Sequence, residues 1–190
     1  MYKIVALIGE AGSGKDTILR ELIKACPDLH EIVSCTTRPM REGEKDGVNY
    51  HYYTNNEFAR KVEAKEMFEY TLFNDWFYGT SYDSLEKNKI NVGVFNPAGI
   101  RSMLMHGKDI DLKVYYIQAP AKKRLLRQLN REKDPNVDEI IRRYGTDKAD
   151  FGAIKFDYYP LRNDVWEDMQ GCVNDILSDL EPAQTEDKNS

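Results

Sequence analysis

Ile4-Val5-Ala6-Leu7-Ile8-Gly9-Glu10-Ala11-Gly12-Ser13-Gly14-Lys15-Asp16-Thr17 places five apolar residues before a glycine-rich turn and a lysine that opens a helix-forming stretch. Each part of that order meets a physical need. The apolar run has the length of a buried strand. Glycines in the turn let successive backbone N–H groups converge on one anion. Lys15 can reach the outer phosphates of a nucleotide as a point charge, and the helix behind it turns its positive end toward them. A glycine-rich turn alone is common and also suits a flexible loop with a solvated lysine. The full spacing G-x-x-x-x-G-K after a strand predicts a nucleotide-phosphate site over Gly9–Thr17.

The residue after the lysine departs from the usual pattern. A hydroxyl that ligates Mg²⁺ is common there; here Asp16 takes its place and Thr17 follows. Asp16 can hold the metal through water, or it can act as a favourable acid in the first turn of a helix.

Working outward, 190 residues suffice for one sizeable core with small inserted lobes. The formal charge of -5 and the lack of any basic block argue against a nonspecific duplex-binding surface. A local basic cleft for a charged nucleotide remains compatible with that acid surplus. Three cysteines, Cys26, Cys35 and Cys172, suit a reducing compartment better than a disulfide scaffold. The N-terminal apolar run is far shorter than a membrane span and follows no processing signal, so the expected setting is cytoplasmic.

Strand and helix patterns alternate, which predicts an α/β fold with a parallel sheet. Strands are expected at 4–8, 31–35, 90–95, 112–117 and, on weaker grounds, 156–159. Helices are expected at 15–25 (ended by Pro27), near 98–105, 121–131 and 136–149, and at 164–179, where Val165, Met169, Cys172, Val173, Ile176 and Leu177 have core spacing. Residues 36–89 break the rhythm with turn formers, basic residues, an aromatic cluster and a helix near 55–63. They read as a mixed lobe inserted over a second substrate. Residues 181–190 are polar enough to form a loose tail.

Arg38 and Arg41 follow the expected second strand three residues apart. A guanidinium fork donates in pairs and matches a phosphate monoester, and Tyr50 and Tyr78 can add hydroxyl donors. By itself such an arginine pair fits a solvated surface equally well.

The surrounding residues resolve that ambiguity by resemblance. Residues 34–53, S-C-T-T-R-P-M-R-E-G-E-K-D-G-V-N-Y-H-Y-Y, with Phe68-Glu69 and Phe77-Tyr78-Gly79-Thr80-Ser81, resemble the signature of guanylate kinases. The likeness runs over 3–96 and more faintly to about 177. It implies a P-loop NTPase three-layer core (1–35 and 90–180), a small nucleotide-monophosphate-binding lobe (36–89) and a helical lid (about 124–145), in one domain over 1–180. The implied activity is transfer of the ATP γ-phosphoryl to GMP or dGMP with Mg²⁺. Arg38, Arg41, Tyr50 and Tyr78 would hold the acceptor phosphate, and Ser34, Glu69 and Thr80 the guanine. Guanine presents N1–H beside an exocyclic amine, and one carboxylate can accept both; adenine would set an unprotonated N1 against that charge.

Two departures from the family pattern stand out. Asn96 occupies the place of an acid associated with guanine or metal. The lid connector 132–136 lacks the usual glycine, although Arg124, Arg127, Arg131, Arg142 and Arg143 supply charge around it. Arg131 and Arg143 match best the arginines that clamp the transferring phosphates beside Lys15, and Asn163 resembles the segment lining the adenine side. The implied partners are small nucleotides rather than nucleic acid or membrane, for a monomer or homodimer. Alternatives left open are a deoxynucleoside monophosphate kinase of broader specificity, a non-catalytic module that binds phosphorylated peptides, and a nucleotide-hydrolysing switch, for which no water-positioning group is evident.

Overall fold

Strand β1 (Tyr2–Ile8) is buried on both faces, as its unbroken apolar run requires. Val5 and Leu7 enter one core cluster, whereas Ile4, Ala6 and Ile8 enter the other, the two-residue alternation of a strand. The computed structural model describes residues 1–180 apart from Glu42, Asn74 and Glu132; the expected loose tail at 181–190 lies outside the described residues.

After β1 come α1 (Lys15–Ala25), β2 (His30–Glu31), β3 (Cys35–Thr36), β4 (His51–Tyr52), α2 (Asn55–Glu63), β5 (Met67–Phe73) and β6 (Trp76–Ser81). The chain continues through β7 (Ile90–Val94), α3 (Pro97–Leu104), β8 (Ile110–Gln118), α4 (Ala121–Leu129), α5 (Val137–Gly152), β9 (Tyr159–Arg162) and α6 (Trp166–Leu180). A five-stranded sheet runs in the order β2-β7-β1-β8-β9, and all its pairings are parallel. A four-stranded mixed sheet runs β4-β3-β6-β5.

Helices α1 and α6 cover one face of the parallel sheet, where Ile18, Leu22, Met169, Val173 and Ile176 pack on Val5 and Leu7. Ile100 and Met103 of α3 and Phe151 of α5 cover the other. The result is a helix–sheet–helix core with β1 at its centre. The glycine-rich loop leaves the carboxyl end of that central strand, where open parallel sheets present their ligands.

Two strand expectations need correction. The stretch 31–35 is divided between the sheets: His30–Glu31 pairs with β7, and Cys35–Thr36 pairs with β4 and β6. The chain crosses over between them, with the Ile32 amide still donating to Val92 at 2.8 Å and the Ser34 carbonyl already accepting from His51 at 2.9 Å. The last strand starts three residues later than expected, at Tyr159 rather than Phe156. Phe156 packs beside the second core cluster instead, and Pro160 is tolerated because β9 is an edge strand. Val165, expected in the core, is exposed ahead of α6.

The crossing at 32–35 lies against the return from the inserted lobe. Ser84 Oγ donates to the Val33 carbonyl at 3.1 Å, and His30 Nε2 lies 3.1 Å from the Ser84 carbonyl. Beyond this seam β5 carries Phe68 into the core cluster, where it stacks on His106 with ring centroids 4.1 Å apart. Among the described residues no helix is long and apolar enough to cross a membrane.

Candidate functional site

The loop after β1 is locked into shape from several sides. Gly12 (φ 79°) and Gly14 (φ 96°) lie in the left-handed region, where side chains are disfavoured. A Cβ would also come within 2.4 Å of the Arg124 carbonyl at Gly12 and within 2.3 Å of Asn163 Nδ2 at Gly14. Gly14 is the N-cap of α1 and supplies no side-chain cap. The Thr17 and Ile18 amides both donate to the Gly14 carbonyl at 3.0 Å, which leaves the Lys15 and Asp16 amides of the first turn for an anion.

Helices α4 and α5 grip this loop through side chains. Arg124 Nη2 pairs with Glu10 Oε1 at 3.2 Å, both groups largely buried, and the Tyr116 hydroxyl donates to Glu10 Oε2 at 3.0 Å. Arg127 Nη1 donates to the carbonyls of Gly12 (3.2 Å) and Ser13 (3.3 Å), and Gln128 Nε2 to that of Ala11 (3.3 Å). Asn163, buried beneath the loop, donates to the Ser13 carbonyl at 2.7 Å. From the other side the Ala11 amide donates to Asp147 Oδ2 at 2.6 Å. Arg124 and Arg127 are thus committed to the loop.

One cavity joins the loop to the inserted lobe. Its wall is shared by Gly9, Ala11, Lys15 and Asp16 of the loop, by Ser34, Arg38, Arg41, Tyr50, Glu69 and Tyr78, and by Asn96 and Gly99. Arg131 and Arg143 close it from the α4–α5 side. Most residues singled out in the sequence therefore meet in one place. Of the expected phosphate loop, Glu10, Gly12, Ser13, Gly14 and Thr17 are not on its wall, and neither are Thr80 and Asn163.

Arg38 is 5% exposed and donates through Nη2 to both Glu44 carboxylate oxygens at 2.9 Å. Glu44 also accepts from the Arg41 amide and the Tyr52 hydroxyl, each at 2.8 Å. Burial opposes its charge, but these three donors outweigh it and hold the carboxyl below the usual range. Burial and then the Glu44 bond push Tyr52 up to about 12. Burial, followed by the charges of Arg38 and Arg143, lowers Arg41, with Arg131 adding to the effect. Arg38, Arg41, Arg131 and Arg143 all line this cavity, a positive field that favours a multiply charged anion. Tyr50 is pushed up by burial and then by the charge of Asp16, so loop and lobe share that field.

Glu69 is 4% exposed. Its Oε1 accepts the Thr80 hydroxyl at 2.9 Å, and its buried Oε2 has no hydrogen-bond partner. Burial raises its pKa to about 8 against the Thr80 hydrogen bonds, which lower it. An orphaned, buried carboxyl oxygen is costly unless a ligand completes it. The Gly99 α-carbon leaves room there, since a Cβ would stand 3.4 Å from that oxygen. Asn96 caps α3 through Oδ1, which accepts from the Gly99 amide at 2.7 Å.

Sequence reasoning missed Glu44, although it sits inside the quoted 34–53 block as the acid that holds Arg38. It also missed Gln128 and Asp147, which reach the loop from 117 and 136 residues away and leave no local signal.

The profile of the guanylate kinase family matches residues 1–180. The guanylate kinase of Salinibacter ruber is 32% identical over 189 residues, covering 96% of this chain and 92% of that protein. The guanylate kinase of Sulfurimonas denitrificans is 28% identical over 169 residues, covering 86% and 82%. In structure, the guanylate kinase of Anaplasma phagocytophilum superposes with a TM-score of 0.69 at 19% identity, covering 96% of this chain and 88% of that one, so the fold is the P-loop NTPase-like fold of these kinases. The chain belongs to the guanylate kinase family, and its chemistry is phosphoryl transfer of the guanylate-kinase kind.

Proposed function

We propose that the chain transfers the γ-phosphoryl group of ATP to GMP or dGMP, giving ADP and GDP or dGDP. The observation that carries this reading is that one cavity is lined by Lys15, by Arg38 and Arg41, and by Glu69, whose Oε2 has no hydrogen-bond partner. A nucleoside monophosphate fits that polarity, with its phosphate at the arginines and its base at the carboxyl. Guanine, with two adjacent N–H donors, satisfies Glu69; adenine does not.

The acceptor needs no protein base, because its second phosphate pKa is about 6 and it is mostly dianionic near neutrality. An acceptor oxygen attacks the γ-phosphorus in line while Arg38, Arg41, Tyr50 and Tyr78 hold the acceptor phosphate. Lys15, with its own amide and that of Asp16, holds the donor phosphates, and Arg131 and Arg143 stabilise the charge that develops between them. Enclosure by the lobe and the α4–α5 connection keeps water from competing for the phosphoryl group.

Magnesium fits this site. No group of three or more His, Cys, Asp or Glu side chains able to hold a metal occurs among the described residues, and Mg²⁺ held by phosphates, waters and one carboxylate requires none. Asp16, exposed at the cavity wall, would hold the ion through water, and the ion would supply charge neutralisation on the phosphates. Unchanged Mg²⁺ dependence and turnover in both Asp16→Ala and Asp16→Asn would remove Asp16 from this role.

A second reading, a kinase with a broader set of acceptors, is favoured by one observation. Asn96 is neutral and its Oδ1 is engaged in capping α3, which leaves base selection chiefly to Glu69. ADP release from Mg·ATP with GMP, dGMP, AMP, CMP, UMP, dTMP and no acceptor separates the readings. Release confined to GMP and dGMP is expected. Release with further acceptors would support the broader kinase, and silence with retained binding would support a binding module.

A further inference from the structure

The loop is held on its carbonyl side by Arg127, Gln128 and Asn163, all donors. A carboxylate holds its amide side. Asp147, 4% exposed, accepts the Ala11 N–H at 2.6 Å, a short, charge-assisted bond. Asp147 also lines the cavity in which anionic substrates must sit, together with Lys15, Arg41, Arg131 and Arg143. A buried negative charge there works against phosphate binding, so electrostatics alone gives no reason for its presence.

Helix geometry supplies one. Arg143 and Asp147 are four residues apart on α5 and so project from the same face, about one turn from each other. The Ala11 bond fixes Asp147 against the loop, and it therefore also fixes the distance at which Arg143 stands from Lys15. We propose that Asp147 is a positioning residue: it ties α5 to the phosphate-binding loop and so places Arg143 over the transferring group. The proposal builds on the kinase reading, because only there does the spacing of Arg143 and Lys15 govern a rate. A misplacement of about 1 Å at such a clamp costs roughly 100-fold in turnover.

The test compares Asp147→Ala with Asp147→Asn, the latter isosteric and still able to accept the Ala11 N–H. Turnover at saturating substrates is measured with the KM of each nucleotide. Independently of activity, ¹⁵N-labelled protein reports the Ala11 amide resonance and its hydrogen exchange, and melting temperature checks folding. In Asp147→Ala, kcat should fall at least ten-fold with the acceptor KM within about two-fold of the parent, while Ala11 exchange accelerates and its resonance moves upfield. Asp147→Asn should keep kcat within about three-fold and retain most of the protection. Parental kcat in Asp147→Ala overturns the proposal, as does an Asn variant as impaired as the Ala variant, which would assign the effect to charge. If Ala11 loses protection in a protein whose parent phosphorylates no acceptor, the tether stands and the kinase reading fails.

Discussion

Glu69 is where residue-level physics speaks most directly about binding. A carboxyl with a pKa of about 8 is mostly neutral at pH 7. Because the folded value lies above the unfolded one, near 4.3, the stability tied to its neutral form is complete below about pH 4 and is lost as pH rises through 8. On the proposed reading guanine would reverse the preference, since its paired N–H donors favour the carboxylate. Binding of GMP at pH 7 should therefore release about one proton, and affinity should rise between pH 7 and 8. Calorimetry in buffers of different ionisation enthalpy reads this directly, and Glu69→Gln should abolish the release. Equal proton uptake or release by parent and variant would contradict the assignment. Two further substitutions separate donor from acceptor. Lys15→Met should lower kcat by about 100-fold or more, as for other groups that stabilise transition-state charge. Arg38→Ala should chiefly raise the GMP KM by about 10- to 100-fold, corresponding to the roughly 1.5–3 kcal/mol of a hydrogen bond to a charged group.

At the scale of elements, α6 is fastened to the parallel sheet by more than its apolar face. Asp179 accepts from the Tyr115 hydroxyl and from Lys113 Nζ, the latter at 3.0 Å. These donors hold its pKa below the usual range, with the Tyr115 bond the largest cause. A depressed carboxyl contributes stability above its unfolded pKa and loses it as pH falls through the folded one. Asp179→Asn should therefore lower the melting temperature near pH 7 and flatten its decline on acidification below about pH 4. The loop is the other element under tight constraint. Gly12→Ala would drive a methyl group into the Arg124 carbonyl 2.4 Å away and strain a positive φ, so donor binding should be lost well before the fold. A melting curve set beside ATP titration would show the difference, and ATP affinity equal to the parent's would refute it.

For the whole molecule, the strong signals in the sequence were those with a local cause. The apolar run at 4–8 and the helical period of Met169, Cys172, Val173 and Ile176 each belong to one element and were read correctly, and Gly12 and Gly14 take the positive φ that a glycine-rich turn uses. The crossing at 32–35 was not legible, because a two-residue strand in either sheet leaves the same apolar pattern. The shift of the last strand to Tyr159 depended on an edge position that makes Pro160 acceptable. The arginine pair and Glu69, singled out in the sequence, line one cavity, whereas the contacts of Arg124, Arg127 and Asp147 join residues more than a hundred positions apart.

The seam at Val33 and Ser84 carries a consequence for exchange between relatives. Departure from the core and return to it lie side by side, joined at 3.1 Å by Ser84 Oγ and the Val33 carbonyl. Cutting there frees two ends that already touch. Residues 35–82 therefore leave and rejoin the core at one place. They can be exchanged without rethreading the parallel sheet provided that the Phe68 contact with His106 and the core cluster is kept. A chimera that takes this segment from a kinase of different acceptor choice should inherit that choice, while its handling of the phosphoryl donor stays with the host.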